Sequence, residues 1–247
     1  MASDVECVLM IDGWGGGLAS FMDFSQQAVS VQWADTIADR FPGLKGAGRI
    51  VDIGCGSGLL LQRLRRAGFL VAGIDSSADM IQRSSARLGG DDQLYRADLV
   101  TDRIPSLDAD LAVCVNGVAN CFADSDDLRR ALSNIRGLLT HDGVLWLEIF
   151  TLDYLLQLAD TSVIQEASDF TLFLRCIWLD DSKELLMRLS GSAVEGDGRV
   201  AFDNLIRYRY IDPGELVPLA EQAGLLSGRH LEGSVDRDRV CWEFTAA

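Results

Sequence analysis

Three acidic residues, Asp52, Asp75 and Asp98, recur at intervals of 23, each at the end of a short apolar run. Asp52 opens the densest cluster, Val51-Asp52-Ile53-Gly54-Cys55-Gly56-Ser57-Gly58. Glycines at such a turn let the backbone bend sharply and approach a ligand with no side chain between. The spacing is Gly-x-Gly-x-Gly; a dinucleotide loop needs Gly-x-Gly-x-x-Gly, and position 59 is Leu. A carboxylate just before the loop suits a cationic ligand better than a pyrophosphate. Asp75, closing Val71–Asp75, can accept hydrogen bonds from both hydroxyls of a ribose, or cap the following helix, a task open also to Ser76 and Ser77. Asp98 can accept from an exocyclic amine of a base while the Leu99 N–H donates to its ring.

The elements that must hold these residues follow from periodicity. Short apolar runs at Ile50–Cys55, Leu70–Ile74, Gln93–Leu99, Leu111–Val115 and Val144–Phe150 alternate with helical patterns at 58–67, 77–88 and 125–139. Such alternation implies a parallel sheet covered on both faces. Before it, the stretch Asp12–Gly17 reads as a break that cannot continue a helix. Ala28, Val31, Ala34, Ile37, Ala38 and Phe41 then repeat at helical spacing up to Pro42-Gly43. Beyond residue 150, Phe170–Leu179, Glu184–Val194 and Val200–Ile211 read as antiparallel strands joined by short turns. Asp212-Pro213-Gly214-Glu215 starts a helix that Gly224 stops, and strands near 226–235 and 239–245 close the chain. The expected fold class is α/β: a doubly wound, mostly parallel, seven-stranded Rossmann-like sheet with an antiparallel strand insertion after strand five. Its parts would be a helical cap (1–48), a cofactor-binding core (49–150), a helix and antiparallel insertion covering the substrate (151–211), and a last helix with two strands (212–247).

With these motifs in order, the chain resembles the class I S-adenosylmethionine-dependent methyltransferases. The resemblance rests on VDIGCGSG at 51–58, GIDSSADMI at 73–81, ADL at 97–99, DLAVCVNGVANCF at 110–122 and LRRALSNIRGLLTHDGVLWLEIF at 128–150. It implies S-adenosyl-L-methionine as methyl donor and S-adenosyl-L-homocysteine as product. It also implies that Gly54, Cys55, Gly56 and Gly58 line the methionine part with Asp52 near its amino group. Asp75 would hold the ribose, Ser76 and Met80 would lie beside the adenine, and Ala97, Asp98 and Leu99 would flank its edge. Asn116 would border cofactor and substrate. Met80 fits core packing with Ala78 and Ile81 equally well. His141-Asp142-Gly143 replaces the family's common Pro-Gly-Gly turn, and neither His141 nor His230 is placed to act as a base.

The region after strand five resembles, in architecture alone, small-molecule methyltransferases such as the aminosugar N-methyltransferases. It implies transfer to a nitrogen or oxygen of a small acceptor, with secondary metabolism as one setting. Candidate acceptor contacts are Phe150, Tyr154, Arg175, Trp178, Tyr208 and Tyr210; Glu148, Tyr154, Tyr208 and Tyr210 are the groups available as a base. Each fits packing as well. The alternative is a cofactor-binding partner or regulator without chemistry.

Composition narrows the classes further. Among 247 residues, 48% are hydrophobic, enough for a core and too many for a disordered chain. Twenty-two Lys and Arg against 37 Asp and Glu give a net charge of −15, which disfavours a nucleic-acid partner. Arg40 is the first basic residue, so no secretory leader is expected, and no apolar run is long enough to span a bilayer. The six scattered cysteines include no Cys-x-x-Cys pair, consistent with reduced thiols, a cytoplasmic setting and no metal site. The expected partner is a small-molecule acceptor, met by a monomer or a homodimer.

Overall fold

In a computed structural model of the chain, residues 14, 16–90, 93–231 and 238–247 are described. Cys7, residues 12, 13 and 15 of the glycine-rich stretch, and the end of the strand expected at 226–235 lie outside them.

Seven strands form one sheet: β1 (Arg49–Ile53), β2 (Leu70–Asp75), β3 (Gln93–Arg96), β4 (Ala109–Cys114), β5 (Leu139–Phe150), β10 (Leu225–His230) and β11 (Arg239–Ala246). The order is β10-β11-β5-β4-β1-β2-β3, parallel except for β11, which runs antiparallel to both β5 and β10. Because the chain leaves β1 toward β2 and later crosses back to β4, a crevice opens at the carboxyl ends of β1 and β4. Ligands of open α/β sheets lie at such switch points.

Helices α2 (Gln27–Arg40), α3 (Leu59–Arg66), α4 (Ala78–Leu88), α5 (Ser125–Leu138) and α7 (Pro213–Gln222) cover the two faces. The fully buried strand residues Val51, Ile53, Ala72, Ala112 and Val113 explain why these runs lack alternation. Helix α2 buries Ser30, Trp33, Ala34 and Ile37, while Ala28 of the expected face is exposed. Trp33 turns α2 inward by packing on Trp146, ring centroids 6.2 Å apart. The strand expected to reach Leu99 ends at Arg96, so Asp98 sits on the loop beyond it.

Two elements depart from the sequence reading. Helix α1 (Gly16–Ser25) starts inside the stretch expected to break helices. Gly17 lies where a Cβ would meet the Val200 carbonyl at 2.7 Å, so a bare backbone there allows α1 to lie against the insertion. The insertion itself has four strands: the expected β7 (Phe170–Leu179), β8 (Glu184–Glu195) and β9 (Gly198–Arg209), plus an exposed edge strand, β6 (Ser162–Glu166). It follows α6 (Leu152–Leu158), whose first turn is capped by Thr151 accepting from the Tyr154 N–H.

Candidate functional site

Two cavities lie at the switch point. The first, of about 570 Å³, runs along the carboxyl ends of β1, β2 and β4. Gly54, Gly56, Asp75, Ser76, Met80, Ala97, Asp98, Leu99 and Asn116 line it, so most of the proposed cofactor set converges on one space. The second, of about 270 Å³, lies between α1 and the insertion and is bordered by Phe150, Tyr154, Tyr208 and Arg239. Met22, Gln26 and Asn116 belong to both walls. The cavities therefore meet at the carboxyl end of α1 and at Asn116, two residues beyond β4.

The glycine loop is held by its neighbours. The N–H groups of Gly54 and Cys55 donate to the Ile74 carbonyl at 2.8 and 3.0 Å. The Asp75 carboxylate accepts from the Gly56 N–H and from the Ser77 N–H, both at 2.9 Å. Ser77 is the cap of α4, accepting from the Met80 N–H at 3.3 Å, which leaves Asp75 free of that task. Burial raises the Asp75 carboxyl above its ordinary range, and the Ser77 and Gly56 donors oppose that shift.

Three members of the expected set are not in the cavity wall. Asp52 is 4% exposed, and burial, reinforced by the charge of Asp75, pushes its carboxyl up to about 8. The Cys55 side chain, in the turn just beyond β1, belongs to the buried cluster of Leu60, Leu61 and Val71 on the α3 side of the sheet. Burial, with Asp52 and Asp75 nearby, holds its thiol well above the usual range. Gly58 has φ +80°, and a Cβ there would run into Ser84 of α4, so its bareness serves helix packing.

Helix α1 roofs the site and was the part the sequence reading missed. Asp23 pairs with Arg87 at 2.5 Å and accepts from the Ser57 hydroxyl. Arg87 also donates to the Ser57 carbonyl at 2.8 Å. On the other side, Ser20 and Arg83 both donate to Glu195 at the end of β8, at 3.1 and 2.6 Å. The signal was present as Leu18, Phe21 and Met22, an i, i+3, i+4 apolar stripe next to the glycines.

At the junction Asn116 has φ +61°, a left-handed conformation that costs about 1 kcal/mol or more in a residue with a side chain. Its Oδ1 accepts from Arg239 Nη1 at 3.4 Å. The same guanidinium lies 3.6 Å from Glu148 and 5.6 Å from the Phe150 ring centroid. Glu148 is fully buried, accepts from the Gly117 N–H at 3.1 Å and lies behind the cavity walls. Phe150 packs edge-on against Tyr154 at 5.1 Å and Tyr208 at 5.3 Å. Burial holds the Tyr208 phenol well above its usual range, so it is a neutral donor at neutral pH. Arg239 was not foreseen from the sequence; it comes from the last strand, opposite Phe150.

Arg175, Trp178 and Tyr210 lie outside both walls. Arg175 is on the outer face of β7, bonded to Asp160 and Ser162. Trp178 lies on the covered face, but in register Trp178–Leu185–Tyr208 it stands two strands from Tyr208, about 10 Å away. Its indole N–H donates to Asp180 at 2.7 Å. Tyr210 follows the end of β9 and is tied by its N–H to Lys183. Among the described residues no group of His, Cys, Asp and Glu could hold a metal ion, and no helix is long and apolar enough to cross a membrane.

Comparison with known proteins agrees with this geometry. A family described as a methyltransferase domain matches residues 51–145. A putative methyltransferase of Geobacillus sp. (strain WCH70) is 30% identical over 122 residues, 47% of this chain and 49% of that protein. The chain thus spans about half the length of the curated relatives it matches. A solved S-adenosylmethionine-dependent methyltransferase from Clostridium acetobutylicum superposes with a TM-score of 0.77 at 19% identity, over 93% of this chain and 97% of that one. The sugar N-methyltransferase KedS8 from Streptoalloteichus sp. does so with a TM-score of 0.75 at 19% identity, over 100% and 98%. Residues 51–145 thus match a methyltransferase domain, and the chain as a whole has the fold of these solved methyltransferases.

Proposed function

We propose that this protein transfers a methyl group from S-adenosyl-L-methionine to a nitrogen or oxygen of a small-molecule acceptor. The observation that carries the reading is the meeting of two cavities at Met22, Gln26 and Asn116, the larger one lined by the glycine loop and the acidic strand ends. The names of the relatives support it: one solved neighbour is S-adenosylmethionine-dependent and another methylates a sugar nitrogen.

The residues present fit this donor. A bare backbone at Gly54 and Gly56 admits its methionine part, and the remaining lone pairs of Asp75 suit two ribose hydroxyls. Met80 and Leu99 offer apolar contact to the adenine faces, and Asp98 stands at its edge. Bound there, the donor supplies a methyl group on a sulfonium whose positive charge vanishes on transfer. The chain's part is to align the acceptor atom with that methyl and to exclude water. Helix α1 closes the space from above, and Asn116 stands where donor and acceptor would meet.

Proton handling limits the acceptor. Tyr208 stays protonated, and Glu148 is committed to Gly117 and Arg239, so neither is a ready general base for the acceptor. A neutral amine needs none during attack, which favours nitrogen over oxygen.

The test is incubation with methyl-labelled donor and a metabolite extract, followed by mass spectrometry. A labelled small molecule supports the reading. Tight donor binding without any labelled product would point instead to a cofactor-binding partner or regulator.

A further inference from the structure

We infer that the second cavity takes a compact, largely apolar acceptor, free of any sugar polyol or nucleoside-diphosphate carrier and bearing its nucleophilic atom on a short polar end. The inference rests on the methyl-transfer reading and names the substrate class for it.

Size and wall chemistry point this way. At about 270 Å³ the cavity lies just under the range typical of drug-sized ligands. The sheet register fixes what faces it: Leu174 beside Leu189 in one row, Met187 beside Ile206 in the next. Phe21 and Leu158 add apolar surface from α1 and α6. Of the polar residues in the wall, Ser25, Gln26, Asn116, Tyr154, Tyr208 and Arg239, two (Gln26 and Asn116) also line the larger cavity. An acceptor seated here would turn its polar end to the donor and its hydrocarbon or aromatic body to the insertion. A sugar would instead set several hydroxyls against a mostly apolar wall with few partners for them, where each one left unpaired costs free energy.

Charge excludes a phosphate carrier. Arg239 is the one charged side chain among the described residues lining the cavity, and its guanidinium is already set against Glu148, Asn116 and the Phe150 ring. Four other arginines of the insertion are engaged with carboxylates: Arg175 with Asp160, Arg188 with Asp203, Arg207 with Glu184 and Arg209 with Glu215. None of these four lines either cavity. A diphosphate would therefore meet a compensated wall in a protein of net charge −15.

Calorimetric titration of the protein saturated with S-adenosylhomocysteine tests this, using p-toluidine, p-cresol, glucosamine and UDP-glucosamine. The two apolar compounds should bind at least about tenfold more tightly than either sugar, a ratio that pocket chemistry of this kind can supply. Ile206→Trp and, separately, Met187→Trp fill the cavity and should abolish apolar binding while leaving affinity for S-adenosylhomocysteine within about twofold, since neither residue lines the donor cavity. Retained S-adenosylhomocysteine binding certifies that a variant is folded. If neither variant passes, the order of affinities in the unaltered protein decides. Sugars binding as tightly as the apolar compounds, no apolar binding at all, or apolar binding that survives both folded Trp variants overturns the proposal. Unaltered, folded protein that binds the apolar compounds but no S-adenosylhomocysteine would instead contradict the donor reading and leave the pocket's chemistry standing.

Discussion

Asp75 and Asp52 are 23 residues apart in sequence, and their environments give them different work. Asp75 lines the larger cavity and steadies the glycine loop through the Gly56 N–H. Asp75→Ala should weaken donor binding by about 1.5–3 kcal/mol, the range for hydrogen bonds to a charged group, with the fold retained. Calorimetry checks this, and an unchanged dissociation constant would put the ribose elsewhere. Asp52 is shielded from both cavities, and its carboxyl rises from 3.8 to about 8. Between those two values the folded protein holds a proton that the unfolded chain has released. This contribution to stability is present in full below 3.8 and is lost as pH rises through about 8. Asp52→Asn keeps the shape without the titration, so its melting temperature should fall less than that of the unaltered protein between about pH 5 and about pH 8. Parallel melting curves would mean that Asp52 does not govern this dependence. Both acids were legible as strand ends. Their burial was not, because it depends on which neighbours close over them.

Element by element, legibility followed the strength of the periodic signal. The runs that became β1, β2 and β4 are dense in buried apolar residues and were found to within about two residues at each end. Helix α1 was missed because Gly16 and Gly17 open it, and glycine disfavours helix unless a close approach requires it, as the Val200 carbonyl does here. The edge strand β6, exposed along its whole length, has no buried face to generate a pattern. In the insertion, alternation identified the strands but not which aromatics reach the cavity; that depends on distance across the sheet, which places Tyr208 at the wall and Trp178 two strands away. Tyr208→Ala should therefore raise the acceptor KM several-fold, whereas Trp178→Ala and Tyr210→Ala should leave it close to the original value. Steady-state kinetics on the three variants settles the matter; an effect at Trp178 equal to that at Tyr208 would mean the acceptor extends along the whole sheet.

At the scale of the whole molecule, one sheet edge carries two separate jobs. The carboxyl ends of β1, β2 and β4 build the larger cavity, while β5 and β11 lead into Phe150 and Arg239 at the smaller one. Helix α1, pinned to α4 by Asp23–Arg87 and to the insertion by Ser20–Glu195, spans both. The first cavity, as the site for S-adenosyl compounds, underlies both jobs. Isothermal calorimetry with S-adenosylhomocysteine, and with NAD as the control, measures this directly. S-adenosylhomocysteine should bind with a micromolar dissociation constant and NAD far more weakly, because Leu59 stands where the dinucleotide loop needs its third glycine. Well-folded protein that binds no S-adenosylhomocysteine, or binds NAD more tightly, would contradict the account.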